Sequence, residues 1–132
     1  MTRYMLDTNT VSHLLRQHPA VARRVVNASM ASLCLSAITA GELLFGLAKR
    51  LDAVRLHRAV TELLRRVDVL PWDNAVARCY GGVRAGMARQ GRVLGSLDML
   101  IAVHALSAGA VLVSNDRAFR QVAGLVVEDW TL

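Results

Sequence analysis

Five short, mostly apolar runs, separated by helical patterns, constrain this chain more than any other feature of its sequence. They are residues 3–6 (RYML), 33–35 (LCL), 67–70 (VDVL, closed by Pro71), 110–113 (AVLV) and 125–127 (LVV). Runs this short, with no polar face, predict parallel strands covered on both sides. Between them, Leu56, Val60, Leu63 and Val67 recur at three-to-four spacing, while Val54, Arg58 and Glu62 share another face. That is the pattern of an amphipathic helix. Val76, Tyr80, Val83 and Met87 make a second stripe, which stops near Gly91. Ser96 reads as the N-cap of a helix through MLIAVHALSA, with Gly109 as its stop. Strand and helix alternating in this way predict an α/β domain, a mainly parallel central sheet flanked by α-helices. Ligands of such sheets bind beyond the carboxyl ends of the strands. No linker, repeat or low-complexity segment interrupts the chain, so residues 1–132 read as a single domain.

With 54% hydrophobic residues, the chain can bury a core without disulfides or a structural metal. Cys34 and Cys79 lie in apolar stretches and read as buried thiols. With no CxxC pair, neither a zinc knuckle nor a redox motif is supported, and a reducing, cytoplasmic setting is expected. The opening MTRYMLDTNT does not read as a signal peptide, because Asp7 breaks the apolar run. The most apolar stretch, residues 99–113, contains His104, Ser107 and Gly109, and is too short to cross a bilayer. Sixteen basic and ten acidic residues leave a charge of +6, and all the basic residues but Lys49 are arginine. That balance suits a polyanionic partner.

The acidic residues divide into two groups. Asp52, Glu62, Asp68, Asp73, Glu128 and Asp129 read as surface charges. Asp7, Glu42, Asp98 and Asp116 sit in apolar surroundings, after a predicted strand or in the first turn of a predicted helix. A parallel sheet gathers such positions on one edge. Two carboxylates about 5 Å apart repel by roughly 3 kcal/mol at an effective dielectric of 20. A cluster of four therefore implies protonation or a bound cation. Oxygen donors alone favour a hard ion, Mg²⁺ or Mn²⁺. Such ions activate water and stabilise charge at a phosphodiester. Setting the four apart leaves 16 basic against six acidic residues, a balance of +10. A negative pocket in a positive body suits a nuclease.

At this level of detail the chain resembles a known family. MLDTNTVSHLLR, SAITAGELLFG, GSLDMLIAVHA, VLVSNDRAF and VAGLVVEDW are similar, in order and spacing, to the successive signatures of PIN-domain toxins of the VapC type. The ARQGR…GSLD run and the closing EDW resemble the enteric branch. The resemblance implies a PIN-like fold and a Mg²⁺- or Mn²⁺-dependent endoribonuclease, the toxin of a toxin–antitoxin pair. It further implies an RNA substrate, with transfer RNA favoured, a cognate VapB-type antitoxin, and a homodimer. By position, Asp7, Glu42, Asp98 and Asp116 match the metal-binding acids, though relatives carry Asp or Asn at the last. Asn9 and Ser114 match supporting positions, the latter usually Thr.

Other residues carry less. His104, in an apolar helix, reads as a packed side chain, and Trp72 and Trp130 as packing residues. Arg84, Arg89 and Arg92 flank a glycine-containing turn and are candidate RNA contacts. The apolar run Leu43, Leu44, Phe45 and Leu47 is a candidate groove for an antitoxin helix. Three rivals stay open. A haloacid-dehalogenase-like phosphotransferase would need a second Asp where Asn9 stands, and a lysine later than Lys49. A PIN-domain nuclease of RNA maturation and a non-cleaving RNA- or protein-binding PIN module are the others.

Overall fold

A computed structural model describes all 132 residues. The elements run β1 (Tyr4–Leu6), α1 (Thr8–Leu15), α2 (Pro19–Asn27), β2 (Leu33–Ser36), α3 (Ala37–Ala48), α4 (Val54–Arg66), β3 (Asp68–Leu70), α5 (Asn74–Arg89), α6 (Ser96–Ala108), β4 (Val111–Val113) and β5 (Val127–Glu128). Short 3₁₀ turns cover Met30–Ser32 and Arg117–Gln121. All strand pairs are parallel, in the order β3-β2-β1-β4-β5.

Side chains alternate across this sheet as a two-residue period demands. Met5, Cys34 and Leu112 point to one face, where Val76 and Met87 of α5, Met99, Ile101 and Val103 of α6, and Phe119 cover them. Leu6, Leu33, Leu35 and Val113 point to the other, under Val11, Val21, Val25, Leu43, Leu47 and Val60 from α1 to α4. The result is a three-layer sandwich, and the α/β expectation holds.

Several local expectations need correction. The outermost strands are less buried than an all-apolar reading implies: Asp68 and Val69 of β3 are exposed, and an Arg3–Asp68 ion pair of 2.8 Å closes that edge. The last strand is Val127–Glu128 rather than 125–127, because Gly124, at φ +80°, sits in a turn that delays pairing. Ser96 is not the N-cap of α6. Gly95 holds that place with extended backbone, and its carbonyl accepts the Met99 N–H at 2.9 Å. Gly109 does end α6, in the left-handed region at φ +65°. Helices α1 and α2 had no counterpart in the strand-and-stripe pattern. They are set locally by Asp7, whose carboxylate accepts the Thr10 N–H, and by Pro19 in the first turn of α2.

Candidate active site

The strand order reverses beside β1: the chain moves from β1 to β2 on one side, then returns to β4 on the other. At such a switch point the loops leaving the two strands diverge and open a crevice. Asp7 leaves β1 and Ser114 leaves β4 at this place, tied together by the Asp7 N–H donating to the Val113 carbonyl at 3.1 Å. The crevice is a cleft of about 400 Å³, lined by Asp7, Thr8, Asn9, Glu42, Gly95, Ser96, Leu97, Asp98 and Ile101.

Asp7 is buried, with 2% of its surface exposed. Its Oδ1 accepts the Thr10 N–H at 2.8 Å, and Thr10 Oγ1 donates to the Val113 carbonyl at 2.9 Å. Burial pushes its carboxyl above the usual range; the Ser114 hydroxyl and the Thr10 donors pull the other way, and Asp116 adds to the rise. Glu42 belongs to the second turn of α3, not to its start, since Ser36 caps that helix by accepting the Ile38 N–H at 3.1 Å. One turn further in, Glu42 is half-buried and reaches the cleft, where Thr8 Oγ1 donates to its Oε1 at 2.8 Å. Asp98 stands in the first turn of α6. Gly95 lies directly beside it: a Cβ there would make an ordinary van der Waals contact with Asp98 Oδ2 at 3.5 Å.

Asp98 registers the whole cluster. Its carboxyl is held above the ordinary value first by burial, then by the charges of Asp116, Asp7 and Glu42. All four predicted acids therefore share one electrostatic neighbourhood, although only three line the cleft. Asp116 sits at its margin, in a small depression with Ser114, Asn115, Arg117, Arg120 and Asp129. There it caps the 3₁₀ turn through Oδ1 to the Ala118 N–H at 2.9 Å, while Ser114 Oγ accepts its own N–H at 3.0 Å. Ser114 thus meets the backbone of Asp116, and Asn9 lies exposed on the cleft wall.

No three acidic, histidine or cysteine side chains close around a single point. The donor set is still chemically apt. It consists of carboxylate oxygens whose mutual repulsion a hard cation would relieve, and Mg²⁺ keeps much of its water and needs only one or two protein carboxylates.

Two residues of the site had gone unrecognised. Thr8 and Thr10 hold Glu42 and Asp7 in place. The signal was present in LDTNT, where hydroxyls flank Asn9 in the first turn after a strand-end acid. Five of the six acids read as surface charges have structural partners, among them Asp129, whose Oδ1 accepts the Thr131 N–H at 2.8 Å. Asp73 caps α5, Asp68 pairs with Arg3, and Glu62 pairs with Arg65 and Arg66. Glu128 takes Arg24 at 3.1 Å and the Trp130 indole N–H at 3.0 Å. His104 is packed as expected, its Nδ1 2.7 Å from Ser36 Oγ. Both tryptophans pack as well. Trp130 is buried against Tyr4, and Trp72 donates to the Leu100 carbonyl at 3.1 Å. Arg84 and Arg92 line not the acidic cleft but a neighbouring cavity, while Arg89 is exposed at the end of α5.

Residues 4–125 match the family model described as PIN domain. The chain is 39% identical over 132 residues to the tRNA(fMet)-specific endonuclease VapC of Shigella flexneri, covering 99% of this chain and 100% of that protein. It is 34% identical to the ribonuclease VapC2 of Haemophilus influenzae, covering 98% and 99%. Among solved structures, DNA-bound VapBC from Salmonella typhimurium superposes with a TM-score of 0.90 at 37% identity, covering 98% and 99% of the two chains. VapBC-1 from nontypeable Haemophilus influenzae gives 0.87 at 33%, covering 99% and 100%. A full-length match in sequence and in fold, around an acidic cleft at the switch point, establishes that the chain belongs to the PIN-domain family, among its VapC-type toxin ribonucleases.

Proposed function

We propose that this chain is a Mg²⁺- or Mn²⁺-dependent endoribonuclease that hydrolyses RNA phosphodiesters at the Asp7, Glu42, Asp98 and Asp116 cluster. Its substrate is transfer RNA, as the name of the Shigella flexneri relative says of that protein. It is the toxin of a toxin–antitoxin pair, held by a cognate VapB-type antitoxin as in the VapBC complexes, and acts in the cytoplasm as a homodimer of single-domain chains. No helix is long and apolar enough to cross a membrane.

The observation that carries this reading is the convergence of Asp7, Glu42 and Asp98 on one cleft at the sheet edge, with Asp116 at its margin. The mutual repulsion of such carboxylates costs stability and is retained where a cation or chemistry uses it. Asp7, Glu42 and Asp98 would hold the ion from the cleft wall, with Asp116 at the margin. When bound, a divalent ion offsets charge developing on the scissile phosphate and makes water a better nucleophile at neutral pH. The chain's own residues do the positioning. Thr10 fixes Asp7, Thr8 fixes Glu42, and Ser114 fixes the backbone that carries Asp116. Arginines elsewhere on the surface draw in the phosphate backbone.

The test is cleavage of small RNA by the partner-free protein with Mg²⁺, with Mn²⁺ and with EDTA, beside Asp98→Asn. Metal-dependent cutting that the variant loses by at least about a hundredfold is the expected result, in line with loss of a group stabilising transition-state charge. A folded, partner-free protein that cuts under none of these conditions would overturn the reading.

A further inference from the structure

Across the first turn of α6 from the acidic cleft lies a second cavity of about 330 Å³, with a different chemistry. Tyr80, Arg84 and Ala88 of α5, Arg92 of the following loop, and Ser96 and Met99 of α6 line it. We propose that it is a nucleobase pocket, taking one unstacked base of the RNA strand whose phosphodiester lies in the acidic cleft. The identity of the strand rests on the ribonuclease reading; the pocket's affinity for a base does not.

The walls are those of a stacking site. The half-buried Tyr80 ring is backed edge-on by Trp72 at 5.9 Å, and Trp72 is itself tied to the Leu100 carbonyl. The Arg84 guanidinium carbon lies 5.6 Å from the centre of the same ring, with Nη1 2.5 Å from the Tyr80 hydroxyl oxygen. Ring and guanidinium together give an aromatic and cationic surface over the buried Met99 and Leu94. Unpaired RNA bases are held by stacking on aromatic rings and on arginine planes. The loop that closes the pocket is pinned: Arg92 Nη1 donates to the Gln121 carbonyl at 2.9 Å, and Gln121 Nε2 donates to the Ala118 carbonyl at 3.2 Å. A base therefore meets a formed surface rather than one it must order.

Position selects the occupant. Ser96 lines both cavities, and Asp98 of the cleft and Met99 of the pocket are consecutive residues. The two cavities thus adjoin at Ser96, on either side of the first turn of α6. One side is acidic, suited to a cation at the phosphodiester; the other is aromatic and cationic, suited to the base and to an adjoining phosphate.

Photocrosslinking tests this without relying on cleavage. Asp98→Asn protein is irradiated with short single-stranded RNAs carrying 4-thiouridine or 6-thioguanosine, and the crosslinked peptides are mapped. Crosslinks within residues 80–99 are expected. Adding Ala88→Phe, which fills the pocket from an exposed position, or Tyr80→Leu should reduce them about tenfold, while Tyr80→Phe retains them. In the otherwise unaltered enzyme, Ala88→Phe should change the preferred cut position or slow it about tenfold. Crosslinks that fall elsewhere, or that persist in Ala88→Phe, overturn the pocket. So does an Ala88→Phe change that splits a dimer yet leaves the crosslinks intact, which would assign the cavity to self-association. Absence of cutting by the unaltered protein in Mg²⁺ and Mn²⁺ instead defeats the ribonuclease reading and leaves the crosslinking result standing.

Discussion

Replacing Asp98 by Asn should make the metal-free protein more stable while removing its activity. Burial first, and then the charges of Asp116, Asp7 and Glu42, disfavour the charged form of the Asp98 carboxyl. One opposing effect exists: the N-terminus of α6 favours a negative charge in its first turn by about 0.3–1 kcal/mol. The carboxyl is nevertheless held above its ordinary value of 3.8, so repulsion and burial prevail. Because the side chain is only half-buried, solvent and salt discount the repulsion heavily, and the net gain from removing the charge is about 1 kcal/mol. For a chain of this size that raises the melting temperature by roughly 4 °C. The assay is thermal unfolding in EDTA at low salt, repeated with Mg²⁺. A cation binding only the folded state adds about 1.4 kcal/mol at ten times its dissociation constant, and the variant should gain less. The order of stability should therefore narrow or reverse on adding Mg²⁺. The pH dependence carries the same sign. A carboxyl whose folded value is raised favours the folded state in acid, and this is lost as the pH rises through the folded value. The advantage of Asp98→Asn should thus shrink as the pH falls toward 3.8. A variant that melts lower than the unaltered protein in EDTA, or that gains the same shift from Mg²⁺, would refute this reasoning.

Further outcomes are expected. Asp7→Asn and Asp7→Ala should both abolish RNA cleavage, but denaturant unfolding should show Ala to be less stable by about 1 kcal/mol, because only Asn can still accept the Thr10 N–H. Thr8→Val removes the donor to Glu42 Oε1 and should lower kcat about tenfold with little change in melting temperature; unchanged turnover would remove Thr8 from the positioning machinery. Burial holds His104 below its ordinary value of 6.5, so protonation opposes folding. Stability should fall as the pH drops from 6.5 toward the lowered folded value, and His104→Gln should flatten that part of the urea-midpoint profile.

Much of the fold was legible in the chain because the three central strands are short and mostly apolar on both faces, a pattern open to few other structures. The stripes Leu56–Val60–Leu63–Val67 and Val76–Tyr80–Val83–Met87 face the core, Val60, Val67, Val76 and Met87 fully so. Less legible were the start of α6 and the bounds of β5, where backbone geometry at Gly95 and Gly124 decides and the side-chain pattern is silent. The four acids could be chosen from the sequence because each interrupts an apolar context, and a buried charge needs a reason. Their relative standing could not. That Asp7 is the most buried, that Glu42 depends on Thr8, and that Asp116 lies at the margin follow from parallel pairing of β1 with β4 and from the turn of α3 that faces the cleft. Local sequence determined the central strands, the stop of α6 at Gly109 and the charge inventory, since these depend on neighbours within a few residues. Only tertiary structure could bring Asp7, Glu42, Asp98 and Asp116 to one edge and set Tyr80 and Arg84 beside them, because those distances are made by sheet order and helix packing between segments far apart in the chain.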